Sequence, residues 1–256
     1  MGGQVVYTLW LRDMKWLVRA KARLATTIVM PFLWLGIIGV GLNSVFVGRS
    51  FLFAGEQMPY LEFMAPGIIG MTLLFSGTFA GVSVVWDKQF GFMKEILVAP
   101  VSRLSIMLGK ILGGATASIL QGFLLLGATA LVGVELPGGL GILQALAFMG
   151  LISVSFVSIG LAFAARIEDP HTFPLVTNFF IMPLFFLSGA LYTIRTAPGW
   201  LQTLAYLNPM TYGIDGLRAS ILGVSQFSIW LDLWVLLAFA LAVFLIGSYL
   251  FKRMTG

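Results

Sequence analysis

The chain has 256 residues, 59% hydrophobic and only 10% charged, with a mean hydropathy of +0.99. A water-soluble domain of this length has too little polar side chain to cover its surface, whereas lipid solvates apolar faces directly, so the composition excludes a soluble enzyme or binding module. The formal net charge of +5 comes from basic residues in short segments between apolar runs, a placement that fits topology signals and headgroup contacts, not nucleic acid. Cysteine is absent, which excludes disulfides and thiol chemistry. No signal peptide is apparent, because the first apolar run follows a long charged segment and exceeds a secretory core.

Residues 4–21 predict an amphipathic helix lying on the membrane. At 100° per residue Val6, Tyr7, Trp10, Leu11, Met14, Leu17 and Val18 gather on one face, with Thr8, Arg12, Lys15 and Arg19 opposite. Six stretches then reach the roughly 20 apolar residues a span needs. They are 24–46, 63–85, 104–134, 140–165, 173–192 and 229–250. A further stretch, 201–222, carries Asn208, Pro209, Asp215 and Arg218, too polar for a lipid-facing span; residues 193–228 therefore read as a re-entrant segment on the outer side. Asp215 and Arg218 lie three apart, a helical spacing at which they can pair. The fold expected is an all-α membrane protein, one transmembrane domain over residues 1–256. Of the 15 Lys and Arg, only Arg49, Arg195 and Arg218 fall outside in this layout, which places both termini in the cytoplasm.

The largest inner loop is 86–103. Its middle predicts a short helix that stops before Pro100, with Phe90, Met93, Ile96 and Leu97 on one face and Lys88, Lys94 and Glu95 free for water or a partner. Such an apolar face needs cover, either from the ends of the spans or from another protein.

Catalytic and metal chemistry find no constellation. His171 is the only histidine, in the loop Glu168-Asp169-Pro170-His171, and reads as a solvated or helix-capping residue. Ser153, Ser155 and Ser158 have no histidine or acid near them in sequence and read as helix–helix packing. Leu108-Gly109-Lys110-Ile111 resembles the end of a phosphate loop but lacks its Ser/Thr and its earlier glycine. No mid-span Asp, Glu, Lys or Arg offers ion coupling, and Glu62 and Asp232 fall near span ends, where water or headgroups reach them. Energy is therefore expected from a partner.

Residues Lys88, Phe90, Gly91, Ile96, Leu97, Pro100, Ser102, Arg103, Gly109 and Lys110 match, in order and spacing, the cytoplasmic motif of a known family. Departures are Gln89, Phe92 and Lys94, where the motif has acids or a small hydroxyl residue. A second run matches through Pro183-Leu184-Phe185-Phe186-Leu187-Ser188-Gly189, Pro198-Gly199-Trp200-Leu201 and Leu207-Asn208-Pro209-Met210-Thr211-Tyr212, as does Phe63-Met64-Ala65-Pro66-Gly67. With these motifs the chain resembles the ABC-2 family of transporter permeases, in its daunorubicin/multidrug-resistance-like branch.

The resemblance implies a non-catalytic membrane subunit of an exporter in the cytoplasmic membrane. A second permease copy would pair with it, and two separate ATPase subunits would carry the ATP and Mg, so this chain itself binds no cofactor or metal. It implies ATPase coupling through the N-terminal helix and Lys88, Phe90, Gly91, Glu95, Leu97, Pro100 and Arg103. It implies a cargo path lined by Met71, Phe75, Phe79, Phe179, Met182 and Phe186, and an outer hairpin shaped by Asn208, Pro209, Asp215 and Arg218. Aromatic and Met side chains there suit a hydrophobic or amphipathic compound. The alternatives are a lipid-linked glycan as cargo, or a stand-alone ion-coupled transporter.

Overall fold

The structure is a computed structural model that describes residues 2–19, 29, 31–39, 41, 51–98, 101–131 and 133–253. Helix α1 (Gly2–Arg19) comes first, close to the amphipathic segment expected. Most of the first expected span, 24–46, lies outside the described residues; within it Trp34–Gly39 forms a π-helical turn. Strands β1 (Phe51–Phe53) and β2 (Glu56–Met58) then pair antiparallel across Ala54 and Gly55, both at positive φ. This hairpin is absent from the expected all-α fold. Its signal is a two-residue turn between apolar triplets, too short to stand out in an apolar chain.

Helix α2 (Tyr60–Phe79) is the centre of the molecule, buried along almost its whole length. After a break at Ala80 and Gly81 the chain continues as α3 (Val82–Gln89), then α4 (Phe92–Val98). The long helices α5 (Arg103–Leu131), α6 (Gly139–Arg166) and α10 (Ile229–Lys252) follow their expected spans within a few residues. Among the described residues four helices, counting α2 with α3 as one, are long and apolar enough to cross a membrane. Helix α7 (Thr172–Leu187) has only 16 residues, about 24 Å at 1.5 Å per residue, against roughly 30 Å of hydrocarbon. It stops at Ser188–Gly189, Gly189 adopting a φ of 69°, so the expected span 173–192 is cut short. The stretch 201–222 breaks into α8 (Gly199–Leu207) and α9 (Pro209–Leu222).

Helix α2 packs against α5, α6 and α9, while α10 covers α6 and α9 and leaves much of its surface bare. Lipid gives apolar helices no reason to associate, so close packing must supply it. Small residues supply it where α2 meets α6. A Cβ on Gly160 would collide with the Thr78 carbonyl, and one on Gly81 with the Gly160 carbonyl, so backbone touches backbone at the α2–α3 break. Gly160→Val is expected to cost about 1–3 kcal/mol by overpacking, read as a lowered melting temperature of the purified protein in micelles.

Candidate functional site

Two cavities lie beside α5. The first, about 530 Å³, lies between α1, α3 and α5, and its wall includes Arg12, Asp13, Asp87 and Lys110. The second, about 340 Å³, is walled by Trp34, Met71, Phe75, Met182, Phe185 and Phe186. Ser76 and Gln121 belong to both walls, so a polar and an apolar chamber meet at these two residues.

The polar chamber is held by four charges. Asp87 Oδ2 accepts from Arg12 Nη2 at 2.9 Å and from Lys110 Nζ at 3.0 Å. Asp13 Oδ1 stands 3.5 Å from Arg12 Nε and 3.8 Å from Lys110 Nζ. Lys110 is 2% exposed, and Ser83 Oγ accepts from it at 3.3 Å. A buried ammonium survives only with such pairing, and two cations against two carboxylates leave the cluster neutral. Gly109 and Gly113 admit α1 to this position: a Cβ on the first would sit 2.9 Å from Leu9 Cβ, one on the second 2.7 Å from Asp13 Oδ2. The Gly109-Lys110 pair, read in the sequence as a failed phosphate loop, thus provides a seat and a counter-ion for the N-terminal helix. Trp10 Nε1 adds a bond to Thr116 Oγ1, 3.1 Å long.

Burial pushes the Asp13 carboxyl above its usual range, against the pull of Lys110 and Arg12. The folded chain then holds that proton more tightly than the unfolded one, so the destabilisation from Asp13 is relieved as pH falls.

The expected coupling residues divide. Lys88 is not a free surface charge: its Nζ donates to Ala164 O at 2.7 Å, Ala165 O at 3.2 Å and Ile167 O at 3.4 Å, capping the C-terminus of α6. Phe90 does not share the buried face of α4. It sits in the turn before that helix, 77% exposed and stacked on Trp86 at 5.6 Å, because Gly91 at φ 75° ends α3 there. Met93 is buried and Ile96 half-buried against the ends of the long helices, while Glu95 is exposed. Arg103 Nη1 donates to Lys252 O at 3.0 Å, at the end of α10. The side chain of Leu97, and Pro100, lie outside the described residues. Arg12 lies over the Phe92 ring, 5.3 Å from its centre, so one guanidinium joins α1, α3 and α4.

Of the expected path residues, Met71, Phe75, Met182 and Phe186 line the apolar chamber together. Phe79 instead packs between Phe75 and Phe173, and Phe179 is 76% exposed beside Phe180. Sequence reasoning missed Gln121 as a shared wall residue. Its only signal was a lone amide inside an apolar span.

At the outer hairpin Asn208 Oδ1 caps α9 by accepting from Met210 N at 3.0 Å, with Pro209 in the first turn, and its Nδ2 donates to Leu184 O at 2.6 Å. Asp215 and Arg218 are not an ion pair. Asp215 accepts from the backbone of Gln226 and Phe227 at 2.8–2.9 Å. Arg218 donates to Phe63 O, Gly189 O and Ala190 O at 3.3, 2.8 and 3.2 Å and stacks over the rings of Phe53 and Phe63. Each charge closes backbone left open by a turn. Asp232, expected in water, is fully buried and neither carboxyl oxygen has a hydrogen-bond partner, whereas Glu62 is half-exposed. His171 is exposed, and Asp169 caps α7 by accepting from His171 N and Thr172 N.

Long apolar helices with a charged cavity and an apolar one between them fit a multi-pass membrane protein. The chain belongs to the ABC-2 type transporter family, whose profile matches residues 4–222. It is 31% identical over 201 residues to the inner membrane transport permease YadH of Escherichia coli K12, covering 77% of each chain. It is 28% identical to the putative transport permease ycf38 of Cyanophora paradoxa, over 98% of this chain and 88% of that one. Nodulation protein J of Rhizobium leguminosarum bv. viciae is 26% identical, over 98% and 95%.

Asp87→Asn is expected to lower stability by about 3 kcal/mol, because Lys110 loses its hydrogen-bonded counter-ion. Asp13→Asn, by contrast, is expected to shift it by less than about 1 kcal/mol at neutral pH. Melting of the two variants, with an Asp87→Asn/Lys110→Met double-mutant cycle, checks both values.

Proposed function

We propose that this chain is the membrane subunit of an ATP-driven exporter that moves a hydrophobic or amphipathic compound outward across the cytoplasmic membrane. The observation that carries the reading is the pair of neighbouring chambers, one with a charged wall and one lined by Met and aromatic side chains, which share Ser76 and Gln121. The wall of the second chamber adapts to apolar cargo of varied shape and holds few hydrogen-bonding groups for a glycan. In this reading the chain spans the membrane six times, with its first span in 24–46 and its fifth built from α7 and the turn after it. Both termini face the cytoplasm, and a second copy completes the path.

Two ATPase subunits, carrying ATP and Mg, dock beneath α4 and α1. The exposed surface there presents Trp86, Phe90, Phe92, Glu95 and Val98. Displacement of α4 passes to Arg12 through the Phe92 ring, and from Arg12 through Asp87 to Lys110 on the chamber wall. The coupling element is therefore the exposed aromatic turn together with the ion cluster above it.

The test is reconstitution of the chain with its ABC ATPase partner, in vesicles containing a lipophilic dye. ATP-dependent movement of the dye is the expected result. Movement without the ATPase, following a proton or sodium gradient, would overturn the reading. Phe90→Ala is expected to reduce ATP-driven transport about ten-fold, a loss of about 1.4 kcal/mol of coupling. Its melting temperature should stay unchanged because the ring is exposed.

A further inference from the structure

The chamber between α1, α3 and α5 is a partly open cleft of about 530 Å³, within the roughly 300–1,000 Å³ of small-molecule sites. The four charges in its wall are not equally occupied. Asp87 Oδ2 accepts two hydrogen bonds, and Lys110 divides its protons between Asp87 and Ser83. Asp13 makes no hydrogen bond among the described residues. Its nearest cations stand 3.5 and 3.8 Å from Oδ1, and its side chain remains 21% exposed. Arg12 commits Nη2 to Asp87 and forms no bond from Nη1 among the described residues, with 32% of its side chain exposed. Neighbouring residues of α1 therefore keep one anionic acceptor and one cationic donor open to the cleft.

The complement of that pair is a zwitterion. A lone cation or anion would leave the neutral cluster charged where little water reaches it, whereas a zwitterion preserves neutrality. An ammonium bearing N–H groups suits a carboxylate acceptor, and a phosphate suits the guanidinium fork. Burial already pushes the Asp13 carboxyl up, so a further cation beside it stabilises the ionised form. The rest of the wall includes Trp16, Leu17, Ala80 and Val82, and α5 extends this apolar surface. Leu120 and Leu124 follow the wall residues Ala117 and Gln121 by three positions, so they lie beside them on the helix, and both are exposed. They stand about 15 and 21 Å from Lys110 at 1.5 Å per residue, comparable with one leaflet of a core roughly 30 Å thick. Charges on an amphipathic helix at one end, and apolar side chains running away from them, follow the order of head and tail in a bilayer.

We propose that this cleft binds a phospholipid with a phosphoethanolamine head, its ammonium on Asp13, its phosphate on Arg12 and its acyl chains along Leu120 and Leu124 of α5. The lipid seals the seat of α1 against the long helices. Neither an ATPase nor a cargo enters the argument, so its failure leaves the exporter reading standing, and the reverse.

The test is native mass spectrometry of the full chain in detergent micelles, where bound lipids are counted by mass. The probes are dioleoyl phosphatidylethanolamine, its N-methyl and N,N-dimethyl derivatives, and dioleoyl phosphatidylcholine. They share acyl chains and net charge and differ in the number of N–H donors. Phosphatidylethanolamine is expected to bind about ten-fold tighter than phosphatidylcholine, as a charge-assisted hydrogen bond provides, with the partly methylated lipids between them. Asp13→Asn is expected to reduce that ratio to less than about two. Ala117→Phe, which narrows the cleft and leaves its charges in place, is expected to abolish it, and decides the matter if Asp13→Asn does not fold. Equal binding of phosphatidylethanolamine and phosphatidylcholine overturns the proposal, as does a ratio preserved in either variant. Tighter binding of dioleoyl phosphatidylglycerol overturns the zwitterion. Displacement of the lipid by an equal concentration of soluble glycerophosphoethanolamine overturns the lipid as occupant.

Discussion

The seating of α1 on the long helices depends on a single oxygen. Asp87 Oδ2 receives both Arg12 and Lys110, and through them α1, α3 and α5 share one charged contact in a region with little water to screen it. The amphipathic N-terminal helix would otherwise be held only by its apolar face, which lipid satisfies as well as protein does. With the ion cluster, its orientation around its own axis is fixed, because Arg12 and Asp13 must face α5 while the glycines at 109 and 113 leave them room. The mouth of the polar chamber exists because of that orientation.

The region around α8 and α9 answers the same constraint with different chemistry. There the open groups are backbone carbonyls and amides at turns, and charged side chains close them. Arg218 serves three carbonyls and two aromatic rings, and Asp215 serves two amides. Lys88 does the equivalent at the inner end of α6. In each case a charge that looks like a binding group in the sequence is occupied by the backbone of a neighbouring segment.

This explains which features were legible beforehand. Spans such as α5, α6 and α10 follow from length and hydropathy because lipid judges residues one at a time. The Asn208-Pro209 break follows from local cap chemistry. The partners of Lys88, Asp215 and Arg218 do not, since Arg218 and its carbonyl at Phe63 are 155 residues apart. Helical spacing matched Asp215 to Arg218 only because it is blind to such distances. The apolar chamber was half legible: Met71, Phe75, Met182 and Phe186 were found by residue type, whereas Phe79 and Phe179 have the same type but point elsewhere. Gln121 needed the three-dimensional cavity to give a lone amide any meaning.

The contact between Gly81 and Gly160 carries a mechanical consequence. Where main chain lies on main chain there is no layer of side chains to re-sort, so α2 and α6 cannot slide or rotate past each other without steric collision. Those helices travel together as a solid block. Shape change is left to the boundary with α1, where an ion cluster able to exchange partners stands beside the apolar packing of Leu9, and to whatever lies against the bare flank of α10. The gearing of the molecule is thus written into the size of its smallest residues.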